Sequence, residues 1–174
     1  MEAPALDSEP ADTRVPPGLS GAVNLFAPEE LDGPGLSRTL ELLESLIGWA
    51  QAGQARILHL LEQHFQDAVA NGAPAAAPGR ESRADRVRAK RLNDELATSL
   101  AATEAACVLR IPERTALGRL RTSRALCEDF PATLGALRDG HLGYRQACTL
   151  VDEALSLPIE ARAPFEAHLL GKAP

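Results

Sequence analysis

The chain is poor in aromatic side chains and in β-branched runs. Aromatic residues make up 3% of its 174 residues, with one Trp and one Tyr. Alanine and leucine, which favour helix, dominate its apolar content instead. This composition excludes a large aromatic core and predicts an all-α protein whose modest core is built from alanine and leucine.

Patterns typical of catalytic and metal sites are also missing. The three cysteines, Cys107, Cys127 and Cys148, are widely separated, which argues against a disulfide framework and a zinc site. None of the four histidines has metal-ligand spacing to a second ligand, and no phosphate-binding loop, serine-hydrolase elbow or H-E-x-x-H motif occurs. We therefore predict no catalytic residue, no metal site, no cofactor and no small-molecule substrate for this chain.

Long apolar runs and a signal peptide are absent as well. No apolar stretch approaches the ~20 residues needed to cross a bilayer. The N-terminus is acidic and proline-rich rather than basic and then apolar. Together with the unpaired cysteines, these features predict a soluble cytoplasmic protein that does not contact a membrane.

The sequence predicts a leader followed by a helical region. Residues 1–35 contain six prolines and little apolar periodicity, which is typical of a disordered acidic leader. Apolar residues then recur every three or four positions, which predicts a long helix over residues 36–71. A linker over residues 72–80 follows. Residues 36–174 are therefore predicted to form one elongated helical bundle with this long helix at its start.

The long helix is predicted to have a continuous apolar seam. At ~1.5 Å per residue it spans about 50 Å, more than a compact domain of this size needs. It must therefore pack along a helical hairpin or against a partner, so homo-oligomerisation through residues 36–71 is one predicted interaction. The predicted seam consists of Leu36, Leu40, Leu43, Ile47, Ala50, Ile57 and Leu61, followed by His64 or Phe65.

Residues 104–126 have the pattern of a helix-turn-helix. A short helix is predicted to end at a corner over residues 110–112, and an arginine-rich helix follows. Its outward arginines suit phosphate oxygens, although Leu117 lies in the middle of that stripe and cannot read a base edge. Packing inside an ordinary helical bundle is the alternative. The predicted DNA contacts in this helix are Arg114, Thr115, Arg119, Arg121 and Arg124.

Positive charge is concentrated in the same part of the chain, although the whole chain has a net charge of −6. Residues 80–126 carry eleven basic and six acidic side chains, whereas residues 1–79 carry three and eleven. This asymmetry favours contact of residues 80–126 with DNA, and neutralisation inside the molecule or a solvated face are the alternatives. The further candidate phosphate contacts, on one face of a helix predicted over residues 81–102, are Arg83, Arg86 and Lys90.

Four short segments in a fixed order resemble one known family. The segments are Leu109-Arg110-Ile111-Pro112-Glu113-Arg114-Thr115-Ala116, Ser123-Arg124-Ala125-Leu126, Phe130-Pro131-Ala132-Thr133-Leu134-x-Ala136-Leu137-Arg138-x-Gly140 and Tyr144-Arg145-Gln146-Ala147. They resemble the all-helical domain of unknown function 222 (DUF 222, or DUF222), of the 13E12 repeat family, which precedes an HNH endonuclease module in many bacterial proteins. The similarity covers residues 36–174 and is densest over residues 92–152. It implies a helical module linked to DNA transactions of mobile or repeated elements.

The resemblance does not extend to nuclease chemistry. HNH catalysis requires a histidine general base and a metal held by further His, Asn or Asp ligands, and this chain lacks that set. Relatives continue into more helices beyond the position of Pro174, so a truncated helical domain is expected. We therefore expect a non-catalytic, DNA-contacting module. The alternatives are a protein–protein or oligomerisation module without DNA binding, and a fragment of a longer HNH nuclease.

Overall fold

The computed structural model describes residues 28–72 and 82–171. Within these ranges the chain is all-helical and contains no strand, which confirms the predicted fold class. A single 3-10 turn, Pro28–Glu30, precedes six helices. Residues 1–27 of the predicted leader and nearly all of the predicted linker lie outside the described residues. The helices are α1 Gly33–Gly72, α2 Arg83–Leu109, α3 Glu113–Glu128, α4 Pro131–Arg138, α5 Tyr144–Leu155 and α6 Ile159–Leu170.

Helix α1 begins three residues earlier than predicted. The Gly35 amide donates a hydrogen bond to Asp32 Oδ1 at 2.8 Å, so an aspartate satisfies one of the free N–H groups at the helix start. Pro34 lies in the first turn, where its missing N–H removes no helical hydrogen bond. The predicted disorder is therefore wrong for residues 33–35.

Helix α1 buries mainly small residues and leaves much of its predicted leucine seam exposed. Leu40 and Ile57 of that seam are 68% and 65% exposed, and Leu36, Ile47 and Ala50 are exposed as well. Packing of the seam inside the bundle is therefore wrong for these residues, because the helix turns smaller side chains inward, which allows neighbouring helices to approach closely. Leu61 and Phe65 of the seam do pack against a buried cluster, and packing of the exposed part against a partner stays a prediction. The buried residues of α1 are Gly48, Ala52, Ala55, Leu58 and Glu62.

Helix α2 is continuous over 27 residues. Ser82 and Asp85 form a capping box, in which the Asp85 amide donates to Ser82 Oγ and the Ser82 amide donates to Asp85 Oδ2, both at 3.2 Å. No glycine or proline interrupts the helix before Leu109. The short helix predicted from residue 104 is therefore the last part of α2, and the predicted break before it is wrong.

The corner between α2 and α3 lies at the predicted residues 110–112. Arg110 adopts the left-handed conformation, with φ 54° and ψ 44°. The Ile111 amide donates to the Ala106 carbonyl at 3.1 Å, which closes the end of α2. Pro112 occupies the N-cap position of α3. The corner prediction is confirmed, with an arginine where glycine would adopt the same backbone more easily.

The helices enclose two apolar clusters. The alanine-rich cluster lies where α1, α2 and α3 meet and holds α2 and α3 side by side. The second cluster joins α1 and α3 to the three C-terminal helices. The members of the alanine-rich cluster are Leu58, Ala101, Ala102, Ala105, Ala116 and Leu120. Those of the second are Ala52, Ala55, Ala125, Leu126, Phe130, Leu137, Ala147, Leu150, Val151 and Ala154.

Helix α6 caps the start of α4. The buried Glu166 carboxylate accepts hydrogen bonds at Oε1 from the Thr133 amide at 2.7 Å and from Thr133 Oγ1 at 2.8 Å. A carboxylate at a helix N-terminus is stabilised by the free N–H groups and by the helix dipole. This contact attaches the last helix to the bundle.

Candidate nucleic-acid interface

The four arginines of α3 point in different directions. Arg114 and Arg121 are exposed, as predicted. Arg119 is half-buried, and its Nη1 donates to Gln54 Oε1 of α1 at 3.2 Å. Arg124 is half-buried and bound to a carboxylate of α1. The prediction that all four point outward is therefore wrong for Arg119 and Arg124.

Glu62 of α1 explains the inward position of Arg124. Its side chain is 1% exposed. Arg124 Nε donates to Glu62 Oε2 at 3.0 Å, Arg124 Nη2 contacts Oε1, and Thr98 Oγ1 of α2 donates to Oε1 at 2.7 Å. The hydrogen bond to Glu62 raises the pKa of Arg124, with burial acting in the opposite direction. Because a buried carboxylate must be paired, Arg124 holds α3 against α1 and α2.

The stretch of α3 from Arg114 to Arg121 presents two arginines and short side chains to solvent. Its exposed residues are Arg114, Thr115, Gly118 and Arg121, and the exposed carboxylates of α3, Glu113 and Glu128, lie outside this stretch. Arg114 and Arg121 are two helical turns apart, or about 10 Å along the axis. Gly118 lies between them and projects no side chain, so an extended ligand could approach the backbone there.

An open cleft lies between the middle of α2 and α3. It brings the predicted residue Lys90 together with Arg121 and Arg124, and it adds Arg91, which the sequence analysis did not single out. Arg91 Nε forms an ion pair with Glu95 Oε1 one turn further along α2, at 2.9 Å. The carboxylates that also line this cleft are Asp94, Glu95 and Glu113. The cleft therefore has mixed charge, and its cations are partly neutralised.

The first nine residues of α2 form a separate basic end. They carry five cations and one carboxylate, Asp85, which the capping box already uses. Arg83 and Arg86 are exposed there, and Arg83 shares a shallow depression with Arg88 and Arg91. Neither Arg83 nor Arg86 lines the cleft between α2 and α3. Their charges therefore extend the positive surface along α2 rather than across to α3.

Leu117 belongs to the protein interior more than to the outward stripe. It is half-buried and packs against the alanine-rich cluster, and its remaining surface lines the cleft. The alternative considered for this helix, packing within the bundle, therefore applies to Leu117. Helical spacing is the sequence signal for this position. Leu117 follows Glu113 by four residues and precedes Arg121 by four, so the three side chains share the side of α3 that faces α2.

The described residues contain no assembled metal site. Among residues 28–72 and 82–171, no three His, Cys, Asp or Glu side chains are grouped so that they could hold an ion. Nor is any helix in these ranges both long and apolar enough to span a membrane. Burial raises the pKa of the Cys127 and Cys148 thiols, which favours their unreactive protonated form.

In comparisons with known proteins, the chain matches no family model, no curated sequence and no solved structure. The resemblance to the domain of unknown function 222 therefore stays a prediction that rests on the four quoted segments.

Proposed function

We propose that the chain is a non-catalytic helical module that binds the phosphate backbone of DNA through α3 and the basic end of α2. The observation that carries this proposal is the outward surface of α3, where Arg114 and Arg121 flank Gly118 and no carboxylate intervenes. Guanidinium groups bind phosphate oxygens through planar, paired hydrogen bonds. The exposed Lys90 across the cleft supports the same assignment.

The proposed contact positions the protein without reading a base sequence. Arg119 and Arg124 are engaged inside the bundle and are not counted. The remaining exposed cations, with Thr115, can bond to phosphate but carry no sequence information. Binding should therefore be similar on unrelated duplexes, moderate in strength and strongly dependent on salt.

The resemblance to the 13E12 repeat family supports the link to DNA, and it leaves open that the chain is part of a longer HNH nuclease. The unpaired cysteines suit the reducing cytoplasm, which we include in the proposal as its compartment. The proposed phosphate contact needs neither the family resemblance nor the cytoplasmic compartment, because it depends on exposed charge alone.

The proposal is tested by measuring the affinity of the chain for an arbitrary DNA duplex at several salt concentrations. We expect log affinity to fall linearly with log salt. The double variant with Arg114→Glu and Arg121→Glu should bind every duplex more weakly and lower the salt slope by roughly one unit per lost contact.

The matched control reverses two exposed arginines away from the proposed surface, Arg138→Glu on α4 and Arg145→Glu on α5. Both double variants change the net charge equally, so a difference between them reports position rather than total charge. Equal weakening in the two variants, or no binding by the unmodified chain at low salt, would overturn the proposal.

Docking of a partner protein on α1 is a second candidate function. Leu36, Leu40, Ile47, Ile57 and Leu60 are large apolar side chains of α1 that remain exposed. Exposed aliphatic area of this kind is unusual on a protein that acts alone. If α1 docks a partner, for example in homo-oligomerisation, Leu40→Gln with Ile57→Gln should abolish association in sedimentation experiments and leave DNA affinity unchanged.

A further inference from the structure

The outer face of α2 carries an uncovered row of side chains at four-residue spacing. We call it the α2 row, and it consists of Arg88, Leu92, Leu96, Leu100 and Glu104. Its leucines are 56%, 51% and 40% exposed, in chain order. The buried residues one position further along the helix are Ala97, Ala101 and Ala105. In this part of α2 the three leucines are therefore exposed and the alanines beside them are buried, the reverse of the usual preference.

The α2 row is symmetric about Leu96, except that the charge changes sign. Leu92 and Leu100 lie four residues to either side of it. Arg88 and Glu104 lie eight residues to either side, and both are exposed. Among the described residues, neither of these two forms an ion pair. The row thus has an apolar centre with one unpaired charge of each sign at equal distance.

We propose that a second copy of this chain docks on the α2 row, with the two α2 helices antiparallel and the two-fold axis beside Leu96. In a two-fold interface the same patch serves both partners. Leu96 then meets its own counterpart, and Leu92 meets Leu100 of the second copy. Arg88 meets Glu104 of the second copy, and this ion pair forms twice.

A parallel arrangement would place Arg88 opposite Arg88 and Glu104 opposite Glu104, so the charges select the antiparallel one. Side chains at four-residue spacing also form the ridges that most commonly interdigitate between packed helices. The inference goes beyond DNA binding and does not involve the α1 surface, because neither the α3 residues nor the α1 leucines belong to the α2 row. Arg88 is the residue that the α2 row shares with the basic end of α2.

The expected dimer is weak. One pair of crossed helices covers less than the roughly 800 Å² per partner of a stable complex. We therefore expect a dissociation constant in the micromolar range. The cleft residue Lys90 is not a member of the row, so the dimer leaves it exposed for DNA.

Sedimentation velocity of single and mixed variants tests the inference. The full chain should dimerise as its concentration rises to tens of micromolar. Arg88→Glu alone and Glu104→Arg alone should each weaken self-association about tenfold, because each creates two like-charge contacts per dimer. An equimolar mixture of these two variants should dimerise like the unmodified chain, since every contact in the mixed dimer then joins opposite charges.

Two controls separate this interface from other causes. Arg91→Glu makes the same charge change on the cleft side of α2 and should leave dimerisation unchanged. Leu96→Lys should give a folded monomer with unaltered circular dichroism, because the Leu96 side chain lies outside the core.

A chain that stays monomeric at all concentrations would overturn the inference. An equimolar mixture of Arg88→Glu and Glu104→Arg that does not regain the dimerisation of the unmodified chain would overturn it as well. So would a dimer that is abolished by Leu40→Gln with Ile57→Gln but is unaffected by the charge changes at Arg88 and Glu104. The DNA proposal is tested separately with the Arg114→Glu and Arg121→Glu double variant, because Arg88 and Arg91 also belong to the basic end of α2.

Discussion

Arg124 of α3 and Glu62 of α1 form an ion pair whose carboxylate is 1% exposed. The two residues are 62 positions apart in the chain, and the pair is completed by Thr98 of α2. An arginine engaged in this way stabilises the bundle and is not free to bind an external phosphate. One of the charges that most suggested DNA binding in the sequence therefore has an internal role.

Removing one member of this pair should destabilise the protein strongly. Arg124→Leu leaves the Glu62 carboxylate buried with only Thr98 as partner. This should lower the free energy of unfolding by about 3 kcal/mol, near the low end for buried pairs because Arg124 keeps some solvent contact. The double variant Glu62→Leu with Arg124→Leu should recover most of this loss, since apolar replacements of both partners are tolerated. Urea unfolding measures both values.

The matched control is Arg138→Leu, which removes the exposed pair with Asp139 and should cost less than about 1 kcal/mol. The double variant also gives a functional readout, because its DNA affinity should equal that of the unmodified chain. Strong loss of DNA binding in a stable double variant would show that Arg124 contacts DNA after all.

Leu117 distinguishes a packing residue from a DNA-facing one. Because it is half-buried against the alanine-rich cluster, Leu117→Ala should lower the free energy of unfolding by about 2 kcal/mol, the low end for buried leucines. DNA affinity at a temperature where the variant is folded should not change. Ile57→Ala, at an exposed position of α1, should change stability by less than about 0.5 kcal/mol. A thermal melt of Leu117→Ala that matches Ile57→Ala would contradict the packing assignment.

Much of the helical architecture is predictable from the sequence. Pro112 marks the corner at residues 110–112, prolines and glycines mark the boundaries of the C-terminal helices, and apolar periodicity marks α1. The buried stripe of α1 is not predictable in the same way. Periodicity ranks leucine above alanine, whereas the packed bundle selects Ala52 and Ala55 because close helix approach requires small side chains.

The candidate interface is predictable as a region but not residue by residue. The charge excess over residues 80–126 correctly locates the exposed cations of α2 and α3. The charge excess cannot predict that Arg121 is exposed whereas Arg124 is paired inside the bundle. That difference depends on Glu62, which lies in another helix far away in the chain. Helical spacing within α3 alone contains no information on that partner.

Two glycines of α1 should respond oppositely to the same substitution. A Cβ added at Gly48 would lie 2.8 Å from the Leu137 carbonyl oxygen, whereas one at Gly53 would meet nothing within 4 Å. Gly53→Ala should therefore stabilise the protein by about 0.5 to 1 kcal/mol through helix propensity. Gly48→Ala should destabilise it by about 1 to 3 kcal/mol, because α4 must move away from α1. Stabilisation by both substitutions would show that α4 does not pack this closely.

The only tyrosine of the chain, Tyr144, should titrate far above its usual range. Burial raises the pKa of Tyr144 from 10.0 to about 12. In the unfolded chain the phenol loses its proton first as pH rises, so the folded state should lose stability from about pH 10 upward. Tyrosinate absorbance should show a midpoint near 12 in the folded protein and near 10 in denaturant. Tyr144→Phe should reduce the alkaline loss, leaving that due to the half-buried Cys127 and Cys148 thiols. A folded-state midpoint near 10 would place the hydroxyl in solvent instead.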